Sequence, residues 1–274
     1  MTIPLSSSAR IAAFQALKGR RKLVCLTAYT APMAAALDPF CDLLLVGDTV
    51  GMVVYGMETT HKVSLEMMVC LGQAVMRRQQ NALVVVDLPK GSYENSPQQA
   101  HDNAHLLLDQ TGADAVKLEG GADRATTLSY LCSTGIQVMG HIGLLPQSAS
   151  VVRATGRTTE EAEQLAADMQ AIAAAGAFSI FLEGISEPVA ASLARNCPVL
   201  SNGIGASAAC DGQILVTDDM LGLYDGHRPK FVRLFADMKS GVTAAATAYR
   251  TAVIDGSFPD KKEGYQYTLI DRKD

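Results

Sequence analysis

Short apolar runs in this sequence end repeatedly on an ionisable side chain. Asp48 comes just after residues 43–46, Asp87 after 83–86, Glu119 after 115–118, His141 after 138–140 and Glu183 after 180–182. Lys117 lies two positions before Glu119. One polar residue at such a point only marks the start of a turn; five in register argue for a shared site. Asp48, Asp87 and Glu119 are hard oxygen donors with no Cys/His ligand pattern beside them, a set that suits Mg2+ rather than Zn2+. Mg2+ is held by few carboxylates and keeps positions for water and substrate oxygens. A 2-oxo acid offers two such oxygens, one from its carboxylate and one from its ketone. The ion would polarise the ketone and stabilise the enolate left when C3 loses a proton. That proton needs a base beside the substrate and off the metal; Glu183, expected to be buried after its apolar strand, is the candidate. Lys117 is expected either to bind the substrate carboxylate or developing oxyanion, or to form a structural ion pair with Glu119 or a neighbouring acid. His141 is expected either to donate to the substrate or to sit satisfied in the core.

These groups meet only if the runs that carry them are neighbouring strands. Residues 22–26, 43–46, 83–86, 115–118, 137–139, 179–182 and 198–200 are short and apolar throughout, as strands buried on both faces of a parallel sheet are. Residues 213–216 make a less clear eighth run. Between them lie helical stretches. Residues 65–78 carry apolar positions at helical spacing. Ser96 and Pro97 open a helix that Gly112 ends, and Thr158 opens one that Gly176 closes. The tail predicts a helix over 230–255 and then a polar end. Strand–helix repeats of this number predict an α/β fold, a (β/α)8 TIM barrel in one domain spanning 1–274. A doubly wound open sheet is the competitor, but no GxGxxG follows the first strand. In a barrel, the C-terminal strand ends form one rim.

The bulk figures fit such a domain. The chain has 274 residues, 48% of them hydrophobic, with 23 Lys+Arg against 28 Asp+Glu and a net charge of -5. That supports a sizeable core and offers no basic stripe for nucleic acid or a membrane surface. No apolar stretch reaches the roughly 18–20 residues of a spanning helix, and residues 1–10 lack the apolar segment of a secretory signal. The 6 cysteines include no CxxC pair and read as reduced thiols of a cytoplasmic protein. Other features read as structural. Residues 203–207 are glycine-rich and read as a tight turn rather than a phosphate cradle. Met52, Met57, Met67 and Met68 read as core packing, and Asp218-Asp219 as a solvated turn. His101 and His105, at i and i+4, read as an exposed helix face without a third metal ligand.

Val46-Gly47-Asp48-Thr49-Val50-Gly51-Met52 resembles the VGDSxGM segment of the ketopantoate hydroxymethyltransferases. Further matches follow in that family's order: Asp87-Leu88-Pro89, Val116-Lys117-Leu118-Glu119-Gly120-Gly121, Gly140-His141-Ile142-Gly143-Leu144 with Pro146-Gln147-Ser148, Leu182-Glu183, the block at 203–207 and Asp211-Gly212-Gln213. The resemblance implies a barrel of the phosphoenolpyruvate mutase and isocitrate lyase type. It implies hydroxymethyl transfer from 5,10-methylenetetrahydrofolate to 3-methyl-2-oxobutanoate, giving 2-dehydropantoate for pantothenate synthesis, and assembly as a decamer. By motif match, Asp48 and Asp87 become Mg2+ ligands that also meet the substrate, Glu119 a metal-site acid acting through water, Lys117 and His141 substrate contacts, and Glu183 the base. Thr49 stands where the family usually has Ser and would hold the substrate carboxylate. The sequence departs from the pattern at Lys90, where Phe is usual, and at His61-Lys62, where smaller or apolar residues are common. It also departs at 149–157, which lack the usual Gly-Gly-aromatic loop, and at 200–202, which lengthen the lead into Gly203. Two further readings are an aldolase or lyase of the same superfamily acting on another 2-oxo acid, and a non-catalytic scaffold. The second is disfavoured because unpaired carboxylates would then have no purpose.

Overall fold

A computed structural model describes residues 6–148, 153–224, 226 and 228–265. A chain that lays successive strands in parallel needs a crossover between them, and helices supply most of these. The order is α1 (Ser7–Gln15), β1 (Leu23–Thr27), α2 (Ala31–Leu37), β2 (Leu43–Val46), α3 (Val50–Val53), α4 (Leu65–Met76), β3 (Leu83–Asp87), α5 (Pro97–Thr111), β4 (Ala115–Glu119), α6 (Ala125–Ser133), β5 (Val138–Gly143), α7 (Thr159–Ala174), β6 (Ser179–Glu183), α8 (Glu187–Asn196), β7 (Leu200–Ile204), β8 (Gly212–Leu215), α9 (Thr217–Met220) and α10 (Met238–Asp255). The eight strands pair in sequence order and β8 closes on β1, giving the expected barrel. Residues 205–211 pass from β7 to β8 without a helix.

Side chains alternate along each strand and sort into two apolar clusters. Leu44, Val46, Val84, Val86 and Val116 pack outward with helix residues such as Met68 and Leu107. Leu43, Leu45, Leu83, Val85, Ala115 and Met139 fill the barrel interior. Ile11 and Phe14 of α1 join that inner cluster, with the Phe14 and Phe178 rings edge to face at 6.3 Å. The helix signals act as their residue types require. Ser96 Oγ accepts from Gln99 N at 3.1 Å and Thr158 Oγ1 from Glu161 N at 3.2 Å, while Gly112 ends α5 with φ +74°.

Three boundaries differ most from the sequence expectation, the first being the fifth strand, which runs over Val138–Gly143 rather than 137–139, so that His141 lies within it. The seventh strand runs over Leu200–Ile204 rather than 198–200. Its polar lead finds partners on both faces of the strand: Asn202 Nδ2 donates to Ser179 Oγ at 2.9 Å inside the barrel, and Ser201 Oγ to Asp211 Oδ2 at 3.0 Å on the other face. The last helix begins at Met238, not at 230, where Asp237 caps it by accepting from Ser240 N at 3.1 Å. None of the residues of α10 is buried. All 6 cysteines are free, and no helix among the described residues is long and apolar enough to cross a membrane.

Candidate active site

Strand parity explains why the ionisable groups converge. On β3, β4, β5 and β6 the series Leu83-Val85-Asp87, Ala115-Lys117-Glu119, Met139-His141 and Phe181-Glu183 each continue from the barrel-filling cluster. The same parity that buries the apolar members inside the barrel carries the ionisable ones to the inside of its C-terminal rim. Register aligns them, with Asp87 beside Lys117 and Glu119 beside His141. Asp48 comes from the turn after β2 and is drawn in by its own backbone N–H, which donates to Asp87 Oδ2 at 3.0 Å.

Asp48, Thr49, Asp87, Lys117, Glu119, His141 and Glu183 all line one cavity of about 250 Å³. Lys117 Nζ pairs with Asp87 Oδ1 at 3.1 Å, so the neighbouring acid that it meets is Asp87. It also stands 3.4 Å from His141 Nδ1. An ammonium can only donate, so Nδ1 faces it as an acceptor and the ring proton belongs on Nε2. Nε2 points to Glu183 Oε2 at 3.3 Å, and Nδ1 lies 3.6 Å from Glu119 Oε1. His141 is thus buried among site groups rather than in apolar core. Glu183 is not buried as expected: it ends its strand at the open rim, and its side chain keeps 20% exposure.

Gathering acids out of water shifts their proton affinities. Burial, reinforced by the Asp87 carboxylate, pushes Asp48 up to about 7. Burial also raises Glu119. Burial works against the charge of Lys117, but Asp87, Glu119 and Asp48 together hold its ammonium above the ordinary lysine range. Among the described residues, no group of three or more His, Cys, Asp or Glu is placed to hold a metal ion by itself.

Several groups at or against the site are not legible as such in the sequence. Gln147 donates to both Asp48 and Glu119; it lies in a quoted motif, but nothing in its residue type marks it. Tyr224 and Phe231 line the cavity from the segment after α9, within a stretch that reads partly as helix in the sequence. Asp218 and Asp219 do not form a solvated turn: they begin α9, are about half-buried with burial raising both carboxyls, and Asp219 lines the cavity. The tight turn at 203–207 is present, since Gly205 has φ +59° and a Cβ there would meet the Phe231 ring at 2.5 Å. Met68 is core, as expected, whereas Met52 lines the cavity. His101 and His105 lie on α5 with ring centroids 6.1 Å apart, and His101 Nδ1 sits 3.1 Å from Asp102 Oδ1. Two departures from the family pattern meet: Lys90 Nζ is 3.4 Å from His61 Nδ1, while His61 Nε2 faces the Pro146 carbonyl at 3.1 Å. The departure at 149–157 lies outside the described residues over 149–152.

A sequence profile of the ketopantoate hydroxymethyltransferase family matches residues 8–261. The chain is 56% identical over 240 residues to the 3-methyl-2-oxobutanoate hydroxymethyltransferase of Rhodospirillum rubrum, which covers 86% of each chain. The protein of that name from Agrobacterium fabrum is 49% identical over 258 residues, 93% of this chain and 92% of the relative. Among solved structures, 2,3-dimethylmalate lyase, a PEP mutase/isocitrate lyase superfamily member, superposes with a TM-score of 0.60 over 95% of this chain and 92% of that one, at 17% identity. Oxaloacetate acetylhydrolase in complex with the product oxalate gives 0.62 over 95% and 91%, at 12% identity. At those identities the likeness is one of fold, whereas the curated relatives span most of the chain and the profile's range, 8–261, takes in the whole cluster described above. The chain belongs to the ketopantoate hydroxymethyltransferase family.

Proposed function

We infer that this chain is a 3-methyl-2-oxobutanoate hydroxymethyltransferase of pantothenate biosynthesis. It moves a hydroxymethyl group from 5,10-methylenetetrahydrofolate to C3 of 3-methyl-2-oxobutanoate and yields 2-dehydropantoate. What carries the inference is that all the side chains picked out by the family motifs line one cavity, in a chain 49–56% identical to relatives of that name.

The residues present fit a divalent cation. Asp48 and Asp87 are buried side by side, with Lys117 as the neighbouring positive charge. Asp87 Oδ1 and His141 Nε2 are buried with no polar partner beyond their charged neighbours, Lys117 at 3.1 Å and Glu183 at 3.3 Å. Paired carboxylates out of water favour a bound cation, and an all-oxygen set favours Mg2+. Asp48 and Asp87 would hold it directly and Glu119 through water, with substrate oxygens completing the shell. When bound, the ion supplies a Lewis acid that draws electron density from the ketone.

The protein's own groups do the rest. Thr49 precedes α3 without capping it, which leaves its hydroxyl for the substrate carboxylate. Lys117 steadies negative charge growing on the ketone oxygen. Glu183 takes the C3 proton, oriented by the His141 Nε2–H at 3.3 Å. Met52, Leu144 and Phe231 offer apolar surface to the substrate methyl groups and limit water around C3. C3 bonds to the folate methylene carbon, its C–N bonds to folate break, water supplies the hydroxyl oxygen, and tetrahydrofolate leaves. A cytoplasmic location and assembly as a decamer belong to the same reading; the free thiols support the first and the uncovered α10 the second. The test is product formation by the purified protein with Mg2+ and both substrates. Absence of 2-dehydropantoate where a known enzyme of the family makes it would overturn the assignment. Exchange of the C3 proton without any transfer would point to lyase or aldolase chemistry instead.

A further inference from the structure

Gln147 lies in the loop after β5, 3% exposed, with its backbone N–H and both ends of its side-chain amide engaged. Its backbone N–H donates to Glu119 Oε2 at 3.1 Å. Its Nε2 donates to Asp48 Oδ2 at 2.8 Å and to the Leu88 carbonyl at 3.1 Å. Its Oε1 accepts from the Tyr93 hydroxyl at 2.6 Å. The amide can face only one way. Nε2 meets a carboxylate and a carbonyl, so the flipped amide would set oxygen against oxygen twice. One residue therefore ties the acid that follows β2, through its side chain, to the acid that ends β4, through its backbone N–H, and is itself tied to the loop after β3 through Leu88 and Tyr93.

We propose that Gln147 is a positioning residue for the divalent cation. It holds one oxygen of Asp48 and one of Glu119 toward the loop after β5 and leaves the second oxygen of each for the ion, its water or the substrate. Tyr93 keeps the amide in that orientation. The proposal rests on the reading that this site takes Mg2+. Without the amide, Asp48 loses the donor that fixes its plane and is free to turn toward Lys117. Binding an ion must then reverse that turn.

Two variants separate positioning from general support. Gln147→Met keeps length and bulk but removes both side-chain donors. Tyr93→Phe keeps those donors and removes only the hydroxyl on Oε1. The probe is Mn2+, titrated into the purified full chain without substrate and followed by the EPR signal of the free ion. Exchange of the C3 proton of 3-methyl-2-oxobutanoate for deuterium, read by NMR, is the second measurement. Groups that orient metal ligands typically change affinity by about 10–100-fold. We expect the Mn2+ Kd to rise about tenfold in Gln147→Met, the low end of that range, and by a smaller factor in Tyr93→Phe. Exchange should slow in parallel at limiting Mn2+ and recover at saturation. A merely structural role would lower the melting temperature and leave the Kd of the folded protein unchanged. That outcome in Tyr93→Phe, the milder variant, overturns the proposal, as does Gln147→Met with the wild-type Kd. A wild-type protein that binds no Mn2+ would overturn the metal reading itself and the proposal with it.

Discussion

Asp48 and Glu183 are carboxylates on one rim, and their surroundings give them different work. Glu183 keeps 20% of its side chain exposed and has the His141 ring 3.3 Å away, which suits a group that must collect and release a proton. Replacing it in Glu183→Gln keeps its shape and removes its basicity. C3 proton exchange should fall by about 10²–10⁴-fold, the range for a lost general base, while equilibrium binding of 3-methyl-2-oxobutanoate changes little. Unaltered exchange would assign the base elsewhere. Asp48 is held up to about 7 by burial and by Asp87. In the cation-free protein the folded form then keeps a proton that the unfolded chain has already released. The folded state gains stability relative to the unfolded as pH falls through about 7 and holds that gain fully below the ordinary aspartate range. The sign is therefore a loss of stability as pH rises through about 7. Thermal melts without metal should show this loss, Asp48→Asn should flatten it, and Mg2+ should offset it in the wild type alone.

At the scale of elements, parity and caps decide what the sequence discloses. The acids are legible because they follow runs with no other polar residue, and a strand buried on both faces leaves its chemistry only at its end. β7 is obscured because Ser201 and Asn202 put polar groups on its two faces, where Asp211 and Ser179 satisfy them. Gln147, Tyr93 and Phe231 reach the site by loop paths that no periodicity encodes. The segment carrying Phe231 is read as helix because its residues permit one; Asp237, by capping at Met238, sets the true start. That segment packs its Phe231 ring where Gly205 lacks a side chain. Gly205→Ala would require φ +59° of an L-residue, costing about 1–2 kcal/mol, and would press a methyl group into the ring. The expected outcome is a lower melting temperature and a raised KM for the 2-oxo acid, with kcat less affected, since Phe231 lines the cavity without meeting the acids. Steady-state kinetics with KM unchanged would show that this wall does not contact substrate.

Among the described residues, one helix of the molecule packs nothing into the core. α10 runs over Met238–Asp255 and buries no residue against its own barrel. Val242, Tyr249, Val253 and Ile254 are 55, 59, 47 and 67% exposed. Val242, Tyr249 and Val253 fall at i, i+7 and i+11, so they share one face of the helix. An isolated helix of such length is marginal in water and draws its stability from packing an apolar face. An uncovered stripe of this kind marks a contact with another molecule, and a second copy of the chain fits the decameric assembly in the proposed reading. Light scattering at micromolar concentration should therefore give a mass several times the 29.0 kDa of one chain. Because α10 contributes nothing to its own core, the double variant Tyr249→Lys, Val253→Glu should lower that mass while leaving barrel secondary structure and Mn2+ binding intact. A wild-type mass of one chain, or an assembly indifferent to both substitutions, would show that this face serves something other than self-association.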